Sequence, residues 1–298
     1  MEVTLFTLNF TINPVAFEIN IGNFSWQIYW YGILIATGFL LALIYGFYNA
    51  KRFGVDSDRL LDVVLVTVPV AILCARIYYV LFDGEKLSSI GEFFGIGSSS
   101  GISGLAIFGG VIGAAAAGTI MCKIKKIKPL DALDLAALGF LIGQGIGRWG
   151  NFMNQEAFGT LTGSSWWGME SYRTQAVVGE GLVHPCFLYE SIWCILGFFL
   201  LHKISRNRKF SGQIALLYCV WYGFERGFLE LIRTDSLMLG NSNIRVSSLL
   251  SFVICISAAA VLVVITKKRN EKALETNYES IFKEEDIVEE ASENVNDN

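Results

Sequence analysis

Long runs of apolar residues alternate with shorter polar connections along most of the 298-residue chain. A helix that crosses a bilayer needs about 20 mainly apolar residues. Runs near that length predict about seven transmembrane helices, at residues 26–48, 60–82, 102–122, 132–146, 187–203, 214–231 and 246–266. The fourth run is short and glycine-rich, which predicts a helix that is tilted, broken or tightly packed. The pattern is typical of an all-α integral membrane protein.

The composition agrees with this class, because 53% of the residues are hydrophobic and only 17% are charged. A soluble domain carries more charged surface than that. No Lys or Arg precedes the first apolar run. A cleaved secretory signal is therefore not expected, and the first span should be retained.

Lysine and arginine collect in every second connection, after the first, third, fifth and seventh predicted spans. Short loops of this kind are retained on the cytoplasmic side. The clearest example follows the third span and consists of Lys123, Lys125, Lys126 and Lys128. The N-terminus is therefore predicted to lie outside and the C-terminus in the cytoplasm, as an odd number of spans requires.

The same pattern divides the chain into a multi-span transmembrane domain, 1–269, and an acidic tail, 270–298. The tail has little that could pack, so we expect it to be disordered and cytoplasmic. The longer outer loops are predicted at 83–101 and 148–185. A Gly-x-Ser-x-Gly string at 97–101 lacks the strand-to-helix context of a nucleophile elbow, and we interpret it as a flexible linker.

Ionisable side chains inside membrane spans are costly enough to indicate function. Arg76 lies deep in the second span, and the sixth span contains Glu225 beside Arg226. Tyr222, Arg226, Glu230 and Arg233 follow one another at spacings of four, four and three, which places them on one helical face. The alternative is an Arg226–Glu230 ion pair that only tethers neighbouring spans.

The densest polar cluster follows the glycine-rich span and contains Arg148, Asn151, Asn154 and Glu156. Arginine binds phosphate through two parallel hydrogen bonds, and asparagine both donates and accepts. This segment therefore indicates a site for an anionic headgroup. An ordinary polar outer loop is the alternative.

His184 and Cys186 open the fifth span, and a Cys186 nucleophile activated by His184 is a further hypothesis. With two histidines in the chain, a histidine-based metal site is not expected. The other five cysteines lie in or beside apolar runs and are interpreted as packing residues. A structural role is favoured for Cys186 too, because catalytic Cys–His pairs are assembled in space and the sequence proximity of His184 means little.

Several motifs, in order along the first 235 residues, resemble the prolipoprotein diacylglyceryl transferase family. The motifs are Trp30-Tyr31-Gly32, Ala75-Arg76, Gly104-Leu105-Ala106-Ile107-Phe108-Gly109-Gly110, Gly147-Arg148-x-Gly150-Asn151-Phe152-x-Asn154-x-Glu156-x-x-Gly159, His184-Pro185-x-x-Leu188-Tyr189-Glu190 and Tyr222-Gly223-x-x-Arg226-x-x-x-Glu230-x-x-Arg233. Their combination is far more specific than any one motif alone.

The resemblance implies transfer of a diacylglyceryl group from phosphatidylglycerol to the lipobox cysteine thiol of a preprolipoprotein. The products are a thioether and glycerol 1-phosphate, and the reaction is the first step of lipoprotein maturation. The family uses no metal or organic cofactor. The expected partners are the two substrates and the bilayer, with no nucleic acid. The expected location is the bacterial cytoplasmic membrane, with the active site toward the outer leaflet.

The resemblance also nominates site residues. The expected catalytic residues are Tyr31, Arg148, Glu156, Arg226 and Glu230, and the expected substrate-binding residues are Arg76, Arg148, Asn151, Asn154, Gly159, His184, Tyr222, Arg226 and Arg233. Many members carry His or Tyr where this chain has Phe108, which can neither accept nor donate a proton. The general base therefore stays open among Glu156, Glu230, Tyr31, Tyr222 and His184.

Two alternatives come from other functional classes. Intramembrane arginine and glutamate would also line the pathway of an anion transporter or channel, although the two chain halves lack paired half-helices. A receptor or assembly factor that binds signal-bearing chains without chemistry is disfavoured only by the motif set.

Overall fold

The computed structural model describes residues 2–21, 24–83, 90–93, 104–236, 238 and 244–296, and most of this chain is helical. Its helices, in chain order, are α1 (Trp30–Asn49), α2 (Ser57–Asp83), α3 (Ile90–Phe93), α4 (Ile107–Ile124), α5 (Pro129–Asn154), α6 (Tyr172–Val178), α7 (Cys186–Ser205), α8 (Gln213–Leu229) and α9 (Val246–Asn296). A 3₁₀ turn, Ala50–Phe53, extends α1. The strands are β1 (Glu2–Leu5), β2 (Leu8–Thr11), β3 (Val15–Ile21), β4 (Phe24–Tyr29) and β5 (Met169–Ser171).

Six of the described helices are long and apolar enough to cross a membrane: α1, α2, α4, α5, α7 and the first half of α9. The predicted all-α membrane fold is confirmed. The sixth predicted span corresponds to α8, which has 17 residues. That length is at the lower limit for a spanning helix. The count of seven spans and the orientation of the termini stay predictions.

The membrane helices pack chiefly in neighbouring pairs. Helix α2 lies against α4, α1 against α5, and α8 against α9, while α7 bridges α5 and α8. Large apolar side chains on their outer faces are exposed, including Tyr48, Ile107 and Val263. Such faces are expected where helices meet lipid tails instead of water.

The glycine-rich span is a single unbroken helix, α5, of 26 residues. It is therefore longer than the predicted 132–146, and it includes the segment 148–154 that was expected to begin an outer loop. The glycines bring it close to α1, because a Cβ built on Gly38 would lie 3.2 Å from the Cα of Gly143. Tight packing is therefore confirmed, the expectation of a broken helix is wrong, and the tilt stays a prediction.

The N-terminal segment forms strands that were not predicted. Strand β1 pairs with β2 on one side and with β5 on the other in a three-stranded antiparallel sheet, and β3 pairs with β4 in a separate hairpin. The first membrane helix consequently begins at Trp30, four residues later than predicted. Alternation of apolar and polar residues from Phe17 to Asn20 is the period-two signal of a strand. It was obscured by the longer apolar run that follows.

Two small buried clusters connect these parts. One joins α1, α2, α5, α7 and α8 around Phe53, Leu138 and Ile214. The other joins the three-stranded sheet to the end of α5 and the start of α7, through Val3, Phe152 and Phe187. The second cluster fixes the end of α5, where most of the candidate site residues lie.

Most of the first predicted outer loop, including the string at 97–101, lies outside the described residues. At the other end of the chain, α9 continues as one helix to Asn296, through the segment whose disorder was predicted. The division at residue 269 and the disorder of the tail stay predictions.

Candidate functional site

An elongated cavity of about 680 Å³ lies between α1 and α5. Its long wall is apolar and runs from Leu60 and Phe47 along both helices. Its other end is polar and is lined by Arg148, Arg226 and Arg233. We call this space the first cavity. An apolar channel that ends in guanidinium groups suits a molecule with long hydrocarbon chains and an anionic head.

Glu190 is the centre of the polar network behind this end. Its side chain is 1% exposed, and it lies on α7. One carboxylate oxygen accepts from Arg148 Nη2 at 2.5 Å and from the Tyr222 hydroxyl at 2.7 Å. The other lies 3.5 Å from Arg226 Nη1. Glu190 therefore orients both arginines from behind, while the guanidinium groups border the first cavity.

A second branch of the network runs along the last turn of α5. Arg148 Nη1 donates to Asn151 Oδ1 at 3.2 Å. Asn151 Nδ2 donates to Glu156 Oε1 at 2.9 Å, and Asn154 Nδ2 lies 3.3 Å from the same oxygen. Both amides thus hold one oxygen of Glu156. Among the described residues, no hydrogen bond reaches its Oε2.

A third branch follows the end of α8. Arg226 Nη2 and Glu230 Oε2 are 2.7 Å apart, as expected for a pair spaced by four residues. Glu230 is also 3.9 Å from Arg233, which makes two contacts of 2.9 and 2.7 Å with Asp235. The helix ends at Leu229, so Arg233 approaches through a turn. The expectation that one helical face carries all four motif residues is wrong for Arg233.

The two partners in the last pair have shifted pKa values. Burial disfavours the ionised carboxylate of Asp235, but hydrogen bonds from Arg233 outweigh that effect and hold its pKa below the ordinary value. Burial also disfavours the charged form of Arg233, yet Asp235 raises its pKa overall. Both side chains are therefore charged at neutral pH.

Gly159 allows close approach of the chain segments that position Arg233. A Cβ at this residue would lie 2.8 Å from the His184 Cβ and 3.1 Å from the Ile232 carbonyl oxygen. The Gly159 amide donates to the His184 carbonyl, and Gly159 bridges to Arg233. Its place in the motif therefore has a packing reason, and direct contact with substrate stays a prediction.

Two predicted binding residues lie apart from the network. His184 Nδ1 contacts the Tyr189 hydroxyl at 3.1 Å, and it does not border the first cavity. Arg76 donates to the carbonyl oxygens of Phe93 and Gly104 at 3.1 and 3.2 Å. Arg76 therefore holds the backbone at one residue within the first predicted outer loop, Phe93, and at one just after it, Gly104.

The proposed cysteine nucleophile has little geometric support. Cys186 is 2% exposed, and the described hydrogen bonds of His184 lead to Tyr189 and not to its sulfur. Phe108 is 54% exposed near the start of α4, and its neighbour Ile107 borders the first cavity instead. Tyr31 borders this cavity and packs against Gly150.

Glu190 belongs to a motif of the sequence but was not nominated there as a site residue. The sequence did contain a signal for Glu190, because an ionisable side chain inside an apolar span is costly and indicates function. The same rule had singled out Arg226. Glu225 is the neighbouring case. Both of its carboxylate oxygens are buried, with no hydrogen-bond partner among the described residues.

No group of three or more metal-ligating side chains is assembled within the described ranges. The expectation that no metal or cofactor takes part stays a prediction. The fold and the site together define a multi-span membrane protein in which an arginine–carboxylate network closes one end of an apolar cavity.

The family model for prolipoprotein diacylglyceryl transferase matches residues 14–264 of this chain. Similar proteins are named phosphatidylglycerol–prolipoprotein diacylglyceryl transferase. That of Pediococcus pentosaceus is 40% identical over 270 residues, covering 88% of this chain and 93% of its own. Those of Limosilactobacillus reuteri and Clostridioides difficile are each 39% identical, covering 91% and 85% of this chain and 96% of their own. The chain belongs to the prolipoprotein diacylglyceryl transferase family.

Proposed function

We propose that the protein transfers the diacylglyceryl group of phosphatidylglycerol to the lipobox cysteine of a preprolipoprotein. The names of its relatives give the lipid donor, the transferred group and a prolipoprotein acceptor. The observation that carries the proposal is the first cavity, whose apolar wall ends at Arg148, Arg226 and Arg233. The acyl chains would lie along α1 and α5, with the phosphate at the arginines. Neither a solute channel nor a binding-only receptor needs that combination.

The arginines would act on the leaving group. Cleavage of the glyceryl C–O bond turns a phosphodiester into a phosphate monoester, so negative charge grows on the phosphate oxygens. Cations fixed at that position stabilise the transition state more than the ground state. Arg148 and Arg226 are fixed by Glu190 and Glu230, and a guanidinium has more donors than these contacts use. Arg233 also borders the first cavity and would add positive charge there.

Glu156 is the base that the geometry favours. The lipobox thiol must lose its proton before the sulfur attacks, because an ordinary thiol has a pKa of about 8.5. Glu230 is paired with Arg226, and the Tyr222 hydroxyl donates to Glu190. Glu156 borders the first cavity, and the amides of Asn151 and Asn154 donate to its Oε1 and not to its Oε2.

The transfer balances in protons and electron pairs. Glu156 takes the thiol proton, and the thiolate forms a C–S bond to the glyceryl carbon. The C–O bond breaks, and its electron pair leaves on the phosphate oxygen of glycerol 1-phosphate. Tyr31, beside Glu156 at the cavity wall, would orient the reacting groups. Asn151 and Asn154 hold Glu156 in place.

The location follows from the charge bias of the loops. The basic connections predict that the end of α5 carrying Arg148 faces the outer leaflet of the bacterial cytoplasmic membrane. Preprolipoproteins would present their lipobox on that side.

A direct assay tests the function. The purified protein is placed in vesicles that contain phosphatidylglycerol and is incubated with a lipobox peptide. We expect a diacylglyceryl mass increase on the peptide cysteine and a matching release of glycerol phosphate. A Cys→Ser peptide and vesicles with phosphatidylethanolamine alone serve as controls. Peptide that stays unmodified in the complete reaction would overturn the proposal.

A further inference from the structure

A second cavity, of about 620 Å³, opens beside the first at the end of the molecule that carries the strands. It is bordered by β4, by the start of α1 and by the segment that follows α5, including Asn154 and Glu156. The proposed function gives the first cavity to the phospholipid, and it requires a second place from which a thiol reaches the glyceryl carbon.

The two cavities share part of one wall. Tyr31 and Glu156 border both of them. A group in the second cavity can therefore contact the same Glu156 that borders the first cavity. The chemistry needs this shared contact, since the sulfur must be deprotonated next to the carbon that it attacks.

The second cavity follows the edge of a strand. Four successive residues of β4, from Trp26 to Tyr29, border it. Side chains alternate between the two faces of a strand, so a cavity lined by four in succession runs along the strand's edge. Strand β4 pairs with β3 on one side and, within the described residues, with no other strand. Its other edge is therefore available to an extended peptide.

We propose that the acceptor polypeptide binds in the second cavity as an extended segment along β4, with its cysteine thiol directed at Glu156. The inference rests on the proposed function. Main-chain pairing to a strand edge recognises an extended segment with little regard to its side chains. Trp26 and Ile28 offer apolar contact on one face of the strand. The occupant that this edge fits is therefore an extended peptide with apolar side chains that contact Trp26 and Ile28.

Arg173 supports the outer wall of this site. Its guanidinium donates to the Asn154 carbonyl at 2.6 Å, and the Asn154 side chain lies against Glu156. The bound peptide and the base are thus positioned by the same short segment at the end of α5.

Steady-state kinetics with each substrate varied in turn tests the proposal. Trp26→Ala should raise the KM for the lipobox peptide about tenfold, the equivalent of about 1.4 kcal/mol, and leave the KM for phosphatidylglycerol unchanged. Phe17→Ala is the matched control, because Phe17 is an exposed aromatic residue on β3 that borders neither cavity. It should change neither constant. A Trp26→Ala variant that behaves like the control, or that changes only the lipid KM, overturns the proposal.

Photo-crosslinking of the unaltered protein gives an answer that does not depend on the folding of a variant. A Cys→Ser lipobox peptide carries a benzophenone side chain next to the serine, so that no transfer consumes it. We expect adducts at residues 26–29, and their loss when unlabelled peptide competes. Adducts confined to other segments refute the site. Absence of transfer by the wild-type protein refutes the proposed function, whereas transfer without adducts on β4 refutes this inference alone.

Discussion

Two arginine–carboxylate clusters lie at opposite ends of the helices α5 and α8, and they differ in what they leave free. At one end, Arg148 and Arg226 meet Glu190 and Glu230. At the other end, Arg208 meets Asp131 and Asp134, each at 2.8 Å. A membrane span makes both clusters expensive, so each needs a reason.

In the Arg208 cluster, both Arg208 and Asp134 form hydrogen bonds with backbone groups of neighbouring segments. Asp134 is fully buried and accepts from the amides of Gly212 and Ala215, at the N-terminus of α8. Arg208 also donates to the Phe53 carbonyl and lies over the Phe53 ring. This cluster clamps three chain segments together and borders neither described cavity.

The Arg148 cluster is arranged the other way. Its carboxylates Glu190 and Glu230 lie behind the arginines, and the guanidinium groups border the first cavity. Side chains that are held in place and still face a cavity are preorganised for a ligand, whereas side chains that bond to one another and to the backbone away from any cavity serve the fold. The sequence left open that Arg226 and Glu230 form an ion pair that only tethers neighbouring spans. That description fits the Arg208 cluster better.

The largest expected effect is on the stability of the clamp. Arg208→Met leaves two buried carboxylates without their cation and should lower the free energy of unfolding by about 3–5 kcal/mol. Thermal unfolding in detergent micelles measures this effect, and Arg206→Met is the control because Arg206 is exposed. The fraction that folds should keep normal turnover. Unchanged stability would contradict the structural role.

The next effect is on catalysis. Arg148→Gln should lower the turnover number by about 100-fold to 1,000-fold, which corresponds to about 2.7–4 kcal/mol of transition-state stabilisation. Arg148→Lys keeps the charge but loses the planar guanidinium, so its turnover number should lie between those of the wild-type protein and the Arg148→Gln variant. Initial rates at saturating peptide, with thermal unfolding to verify folding, provide the measurement. Near-normal turnover in a folded Arg148→Gln protein would show that the Arg148 cluster, like the Arg208 cluster, serves the fold and not catalysis.

The smallest effect concerns Asp235, whose side chain is 50% exposed. Its lowered pKa means that the pair with Arg233 stabilises the folded state above the ordinary carboxyl pKa of about 3.9 and loses that contribution as the pH falls through the lower, folded-state value. Asp235→Asn should therefore lower the melting temperature at pH 7 by about 2 °C, with the difference shrinking below about pH 4. A pH-independent difference between the two proteins would exclude this linkage.

The membrane architecture could be predicted because repeated apolar runs of spanning length rarely occur in soluble folds. The strands at the N-terminus could not be separated from the run that follows them, since Trp26 and Ile28 are apolar in either interpretation. Arg148, Asn151 and Glu156 were found because they are neighbours in sequence. Glu190 was not, because its importance comes from contacts with Arg148 and Tyr222, which lie 42 and 32 residues away. The spacing of residues within a motif does not predict contacts between residues that lie so far apart in sequence.

The brevity of α8 has a consequence for the surrounding lipid. Its 17 residues rise about 25 Å, whereas the hydrocarbon core of a bilayer is about 30 Å thick. Phe224 and Phe228 on this helix are half exposed, as is expected of side chains that face lipid tails. Hydrophobic mismatch of this size is relieved by local thinning of the bilayer. If α8 crosses the bilayer, as the sequence predicts, the headgroup plane would therefore dip beside Arg226, and a phospholipid could enter sideways without being lifted from its leaflet.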